Sequence, residues 1–268
     1  MIFRIYGLPL WAFALLILSV LLGAILLGAW NGRRASRMAG RPRTKPGKAK
    51  SDLEVGALLA LLGLVLAFTY SFGLTRIDAR KQALVHEANA IGTAFLRADL
   101  LPEPGRSALR EQLLAYARTR LMSEPARNDM GLAMEEIAAS LAEQAKLWPA
   151  TRDALSEEVP GHVQMLVVQA VNDVLDAHAV RMAAGLDRLS PIVLCFTIAL
   201  AALGVGLASQ NEAAEGTFRP ARMIMFAVTL SARIFLISDF DNSSRGLIQL
   251  HQDSLVDLLA EMERSMTP

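Results

Sequence analysis

Cysteine occurs once in 268 residues, at Cys195, which excludes an internal disulfide framework and any thiolate zinc cluster. It lies in an apolar run and reads as a small packing residue. Histidine is nearly as scarce, and His86, His162, His178 and His251 show no H-E-x-x-H or other ligand spacing, so no zinc site is expected. There is no P-loop and no G-x-S-x-G elbow. The one glycine-dense stretch, "ALGVGLAS", sits in an apolar run, where Ala202 and Gly206 stand four apart as a small-residue packing face, as do Ala24 and Gly28. Strand-like alternation is missing as well. No enzymatic activity, cofactor, metal or nucleic-acid partner is expected.

What the chain has instead is apolar length. Apolar residues make up 53% and charged residues 20%, more apolar than an ordinary soluble domain. Three uncharged runs, Leu8 to Trp30, Val55 to Thr75 and Leu189 to Asn211, each exceed 20 residues. At about 1.5 Å per residue, each can cross a hydrocarbon core of roughly 30 Å. A fourth run, Met223 to Ser238, is shorter and is interrupted only by Arg233. The first run is too long for a signal peptide's apolar region and carries its basic flank behind it, so it is expected to be retained.

Orientation follows from charge. The stretch "NGRRASRMAGRPRTKPGKAKSDLE" holds eight basic residues, Arg33, Arg34, Arg37, Arg41, Arg43, Lys45, Lys48 and Lys50, against two acids. Short loops this basic stay in the cytoplasm. The same cations, Arg33, Arg34, Arg37, Arg41 and Arg43 among them, suit anionic lipid headgroups, at about 1 kcal/mol per residue near the surface. The expected organisation is a first span within 1–30, a basic cytoplasmic loop over 31–54, a second span over 55–75 and an extracytoplasmic helical domain over 76–188. A third span over 189–211, a short loop over 212–222, a fourth span over 223–238 and an extramembrane tail over 239–268 complete it.

Between the second and third spans the sequence reads as helix. Leu84, Ala88, Ile91 and Phe95 recur at spacings of four, three and four, and Pro102 and Pro104 open a new helix. Turns are expected at Pro149 and Pro160. Beyond them, "HVQMLVVQAVNDVLDAHAVRMAAGLDRL" predicts one long helix running into the third span.

Three stretches carry a resemblance: "GLPLW" leading into the first span, "HEANAIGTAFLRADLLPEP" directly after the second, and "DFDNSSRGLIQL" directly after the fourth. With the basic loop between the first two spans, they make the chain similar to the bacterial bestrophin-like domain family, over nearly its whole length. The resemblance implies an all-α, four-span membrane protein of the bacterial inner membrane, related to the bestrophins, which are pentameric anion channels. The family's usual post-span motif resembles "DLDRPRRGLI"; here "DNSSRG" replaces its proline-bearing middle, and the motif as a whole keeps Asp239, Asp241, Arg245 and Gly246. Bestrophins proper hold their helical region in the cytoplasm, whereas the charge pattern here places it outside.

Arg233 is the residue to explain. A central arginine facing lipid costs from about 2.5 to more than 10 kcal/mol, so it must face protein or water. Three roles stay open: a structural ion pair, a cationic ring along a subunit axis that attracts anions, and a lipid-headgroup contact. Phe68 and Phe72 are candidates for a constriction, and Thr69 is a further pore candidate. Glu87 and Asn89 stand too close to share one helix face, so one of them caps or pairs locally. Asp239 and Asp241 suit a helix end tied to Arg245 better than a calcium site, which needs six or more oxygens. The expected function is an anion-preferring channel, homo-oligomeric and pentameric if it follows the bestrophins, with membrane lipids and small inorganic anions as partners. The alternative is a membrane-anchored sensing or scaffold protein.

Overall fold

The structure, a computed structural model, describes residues 10–39, 45–240 and 250–267. Among them are nine helices and no strand: α1 (Leu10–Ala39), α2 (Lys45–Ala98), α3 (Gly105–Thr119), α4 (Glu124–Asn128), α5 (Met130–Ala154), α6 (Gly161–Leu186), α7 (Pro191–Ala214), α8 (Pro220–Asp239) and α9 (Asp253–Met266). Four of the helical stretches are long and apolar enough to cross a membrane. This is an all-α, four-span membrane protein with a helical extramembrane domain between its second and third spans.

The chain divides into two compact units, one mainly Met1–Thr75 with Arg188–Asn242, the other mainly Arg76–Asp187 with Gln249–Pro268. In the first unit, α1 buries Phe13, Ile17, Leu21 and Ile25 against α7 and α8. Close approach is possible because Gly28 and Gly32 continue that stripe. A Cβ on Gly28 would lie 2.1 Å from the Gly206 carbonyl oxygen, and one on Gly32 would lie 2.2 Å from that of Gln210. At this distance a hydroxyl can reach across, and Ser209 Oγ donates to the Ile25 carbonyl at 2.7 Å. The small-residue faces around Gly28 and Gly206 are thus spent on each other inside one chain, and give no argument for contact between copies.

The second unit packs around Ile91, Leu109, Leu113, Leu147, Val167 and Val171, which are 0% exposed. The expected stripe of Leu84, Ala88, Ile91 and Phe95 is buried there. The C-terminal stretch does more than trail: α9 is amphipathic and sets Leu255, Leu259 and Met262, at spacings of four and three, into the same core.

Three expectations about continuity fail for identifiable reasons. The basic stretch 31–54 is mostly helix: α1 continues to Ala39 and α2 begins at Lys45. Arginine, alanine and lysine are good helix formers, and Pro46 stands in the first turn of α2, where its missing N–H is harmless. The turn expected at Pro149 is absent, and α5 continues to Ala154. A helix-interior proline costs about 3 kcal/mol, and burial of Leu147, Thr151 and Ala154 on either side of it offsets that cost. Conversely, the long helix expected to enter the third span is two. The first stops at Leu186 and α7 restarts at Pro191, because a proline pushes the residue before it out of the α region. Ser190 accordingly sits at φ −58°, ψ 126°.

The break is tied down. Arg80 donates from Nε to the Ala184 carbonyl at 3.0 Å and from Nη2 to the Asp187 carbonyl at 2.6 Å, so a buried guanidinium satisfies carbonyls at the C-terminal end of α6. Arg76 Nε holds Asp187 Oδ2 at 3.1 Å.

Candidate functional site

In the second span, α2 buries a narrow seam, Leu62, Leu66, Thr69 and Gly73, at spacings of four, three and four. The opposite face is open: Leu61, Leu64, Phe68 and Phe72 are 47–58% exposed. Phe68 and Phe72 therefore lie on the outside of the chain, where they can narrow a path only if further copies complete it. Thr69 does not join them. It is buried, and its hydroxyl is spent on the Val65 and Leu66 carbonyls of its own helix at 2.9 and 3.2 Å, so it drops out as a pathway residue.

Where α8 ends, the post-span motif meets that seam. Phe240, 1% exposed, wedges against α2: a Cβ on Gly73 would come within 2.5 Å of its ring. The Tyr70 ring stacks on the Phe240 ring with centroids 5.2 Å apart and planes tilted by 58°. Asp239 is fully buried beside it and has a partner. The sequence reading passed over Phe240, although an aromatic between two acids at a span's end was the available signal. Asp241 and Arg245 lie outside the described residues.

Arg233 is exposed on α8, and its guanidinium lies 5.4 Å from the centre of the Tyr70 ring. Among the described residues no carboxylate pairs with it. On the basic side, Arg33 stands 5.5 Å from the Phe218 ring and Arg34 5.4 Å from the Trp30 ring. Both are exposed with Arg37, and Arg41 and Arg43 lie outside the described residues.

Twelve residues past Thr75, in the extramembrane unit, the seam of α2 carries a charge. Glu87 is 0% exposed, whereas Asn89 is exposed, so the first pairs locally and the second faces out. Arg120, just beyond α3, donates from Nε to Glu87 Oε1 at 2.8 Å, and Arg181 of α6 donates from Nη1 to Oε2 at 2.6 Å. Tyr116 of α3 donates its hydroxyl to Oε1 at 2.9 Å. Two further donors are taken up around them: Arg120 Nη1 reaches Ser140 Oγ of α5 at 2.7 Å, and Arg181 Nη2 reaches the Arg120 carbonyl at 3.2 Å.

Tyr116 has one proton, and it goes to the carboxylate. His178 Nδ1, 2.9 Å from the phenol oxygen, is then the protonated nitrogen, and Nε2 is a bare lone pair, buried and without a partner among the described residues. Burial raises the Glu87 carboxyl while the fields of Arg120 and Arg181 lower it, and the net direction is below its ordinary value. His178 is also lowered, by burial and then by Arg120. Burial and the neighbouring carboxylate raise Tyr116, which stays a neutral donor. Two guanidiniums against one carboxylate leave the cluster one positive charge in excess. The legible signal was register: Glu87, Arg120 and Arg181 each fall on the apolar stripe of their helix, as Leu109, Leu113, Tyr116 and Arg120 show at spacings of four, three and four.

This cluster binds α2, α3, α5 and α6 together, and its groups are directed at each other. Among the described residues no three His, Cys, Asp or Glu side chains gather as a metal site.

The model of the Bestrophin-like domain family matches residues 20–255. A crystal structure of a membrane protein superposes with a TM-score of 0.60, covering 95% of this chain and 97% of that one at 12% identity, a likeness of fold. Among curated proteins none matches the chain.

Proposed function

Given that this chain belongs to the bestrophin-like domain family, we propose that it is a non-enzymatic, homo-oligomeric channel of the bacterial inner membrane that prefers small anions, which pass between copies. The observation that carries the reading is Arg233, exposed in an apolar span with an aromatic ring as its neighbour. A cation–π contact is worth about 2 kcal/mol when desolvated. Leaving the same guanidinium in lipid costs from about 2.5 to more than 10 kcal/mol. The remainder comes from water, a lipid headgroup or another copy, and of these a water-lined seam carrying a ring of guanidiniums favours anions. Phe68 and Phe72, on the outer face of α2, are the constriction candidates of such a seam. The basic residues from Arg33 to Lys50 support a cytoplasmic placement for that stretch and an extracytoplasmic one for 76–188.

Liposomes holding the purified protein test this. Chloride flux should exceed sodium flux, and Arg233→Gln should lower the ratio while the protein stays folded, since an amide still hydrogen-bonds. No flux from folded wild-type protein would leave the membrane-anchored scaffold. A large loss of stability in Arg233→Gln with unchanged selectivity would make the residue structural.

A further inference from the structure

In the extramembrane unit, α5 buries one face, with Ser140, Leu147, Thr151 and Ala154 inward. A second stripe on the same helix is uncovered. Met130, Met134, Ala138, Leu141, Ala145 and Trp148 are all exposed, the four large ones by 46–58%. Their spacings of four, four, three, four and three are those of a coiled-coil seam. A run of this kind over nearly five turns is more than the scattered exposed apolar residues of an ordinary surface.

The stripe is self-complementary when reversed about Leu141. Two antiparallel copies centred there set Met134 opposite the second copy's Trp148, and Ala138 beside its Ala145. The paired alanines let the two backbones approach. Charge follows the same reversal. Glu135 and Lys146 are 11 residues apart, hence about 20° apart around the helix and on one flank of the seam. In the antiparallel register each Glu135 arrives beside the other copy's Lys146. Lys146 is 58% exposed and holds Glu143 on its own helix at 2.6 Å, so the new neighbour adds to an existing pair.

A lipid surface is the poorer occupant. Helices that lie on membranes flank their apolar face with Lys and Arg, whereas α5 carries Glu135, Glu136, Glu143 and Asp153 against Lys146 and Arg152.

We propose that this face binds a second copy of the chain, α5 packing antiparallel on α5 about a two-fold axis through Leu141, an isologous contact separate from any shared ion path. The contact is expected whether or not the protein conducts ions. The test uses full-length protein in membranes, with Cys195→Ser and single cysteines introduced at exposed seam positions. With a short bismaleimide, Leu141→Cys should give a crosslinked dimer. Met134→Cys alone and Trp148→Cys alone should not, because equivalent positions stand about 21 Å apart in this register. Co-expressing the Met134→Cys and Trp148→Cys chains should restore the dimer, and this pair keeps the test independent of position 141. Equal crosslinking at all three single positions would replace the antiparallel register by a parallel one and overturn the proposal. No dimer at 141 and none from the mixed pair would mean that the stripe is covered by something other than a second copy.

Discussion

Replacing Glu87 by glutamine isolates what holds the extramembrane unit together. The side chain keeps its shape and loses its charge. Oε1 now accepts from Arg120 and Tyr116, and Oε2 from Arg181. In glutamine one of these positions becomes an NH₂ group that meets donors head-on, and the excess charge of the cluster rises from one to two. Removing one partner of a buried pair costs about 3–5 kcal/mol. Arg120 is 6% and Arg181 19% exposed in their side chains, so Arg181 is the better able to recover water and the lower end of that range is expected. The measurement is thermal unfolding in detergent, with hydrogen exchange on the segments around 87, 116 and 181 to assign the loss. Pairing Glu87→Gln with Arg120→Met should recover part of it, since the second change removes a charge that the first left bare. A loss under about 1 kcal/mol for Glu87→Gln would refute the argument, because the guanidiniums would then have another counter-charge. The pH response adds a sign. Glu87 is lowered from 4.5 and His178 from 6.5, so the folded unit refuses protons that the unfolded chain accepts. Stability is full above about pH 6.5 and falls below it as the unfolded histidine protonates, then falls again below about 4.5 as the unfolded carboxylate does. His178→Asn should abolish the upper limb and leave the lower.

Two further outcomes are expected. Gly28→Ala places a methyl 2.1 Å from the Gly206 carbonyl oxygen, so the two helices must separate and stability should fall by about 1–3 kcal/mol. Gly63→Ala has open space and should be neutral or gain about 0.4–1 kcal/mol; equal thermal shifts for both would discredit the close α1–α7 contact. For orientation, Ala35→Cys and Ser156→Cys, both at exposed positions, are placed separately in a Cys195→Ser background and labelled in intact cells with an impermeant maleimide. Position 156 should label and position 35 should not; the reverse would put residues 76–188 in the cytoplasm.

Span count, helical class and family were determined by the sequence itself, because each depends on quantities that add along the chain. Three apolar runs of more than 20 residues and a shorter fourth need no tertiary partner to be recognised, and the motifs after the second and fourth spans are contiguous. The stripe through Leu84, Ala88, Ile91 and Phe95 is of the same kind, since one face of a helix repeats locally. Tertiary structure decided which residues sharing that periodicity do different things. Ala24 with Gly28 and Ala202 with Gly206 carry the same small-residue signature whether their partner is in another chain or in this one, and only the folded chain sets Gly28 against Gly206. Proline has a local cost, but whether a helix bears it depends on burial elsewhere, which is why Pro149 is passed over and Pro191 breaks the chain. Glu87 meets Arg120 and Arg181 across 33 and 94 residues, and no local rule chooses that pairing from 26 acids and 27 bases. It is selected because a buried charge is tolerated only where its counter-charges are held within hydrogen-bond reach, a condition that exists once three helices have packed.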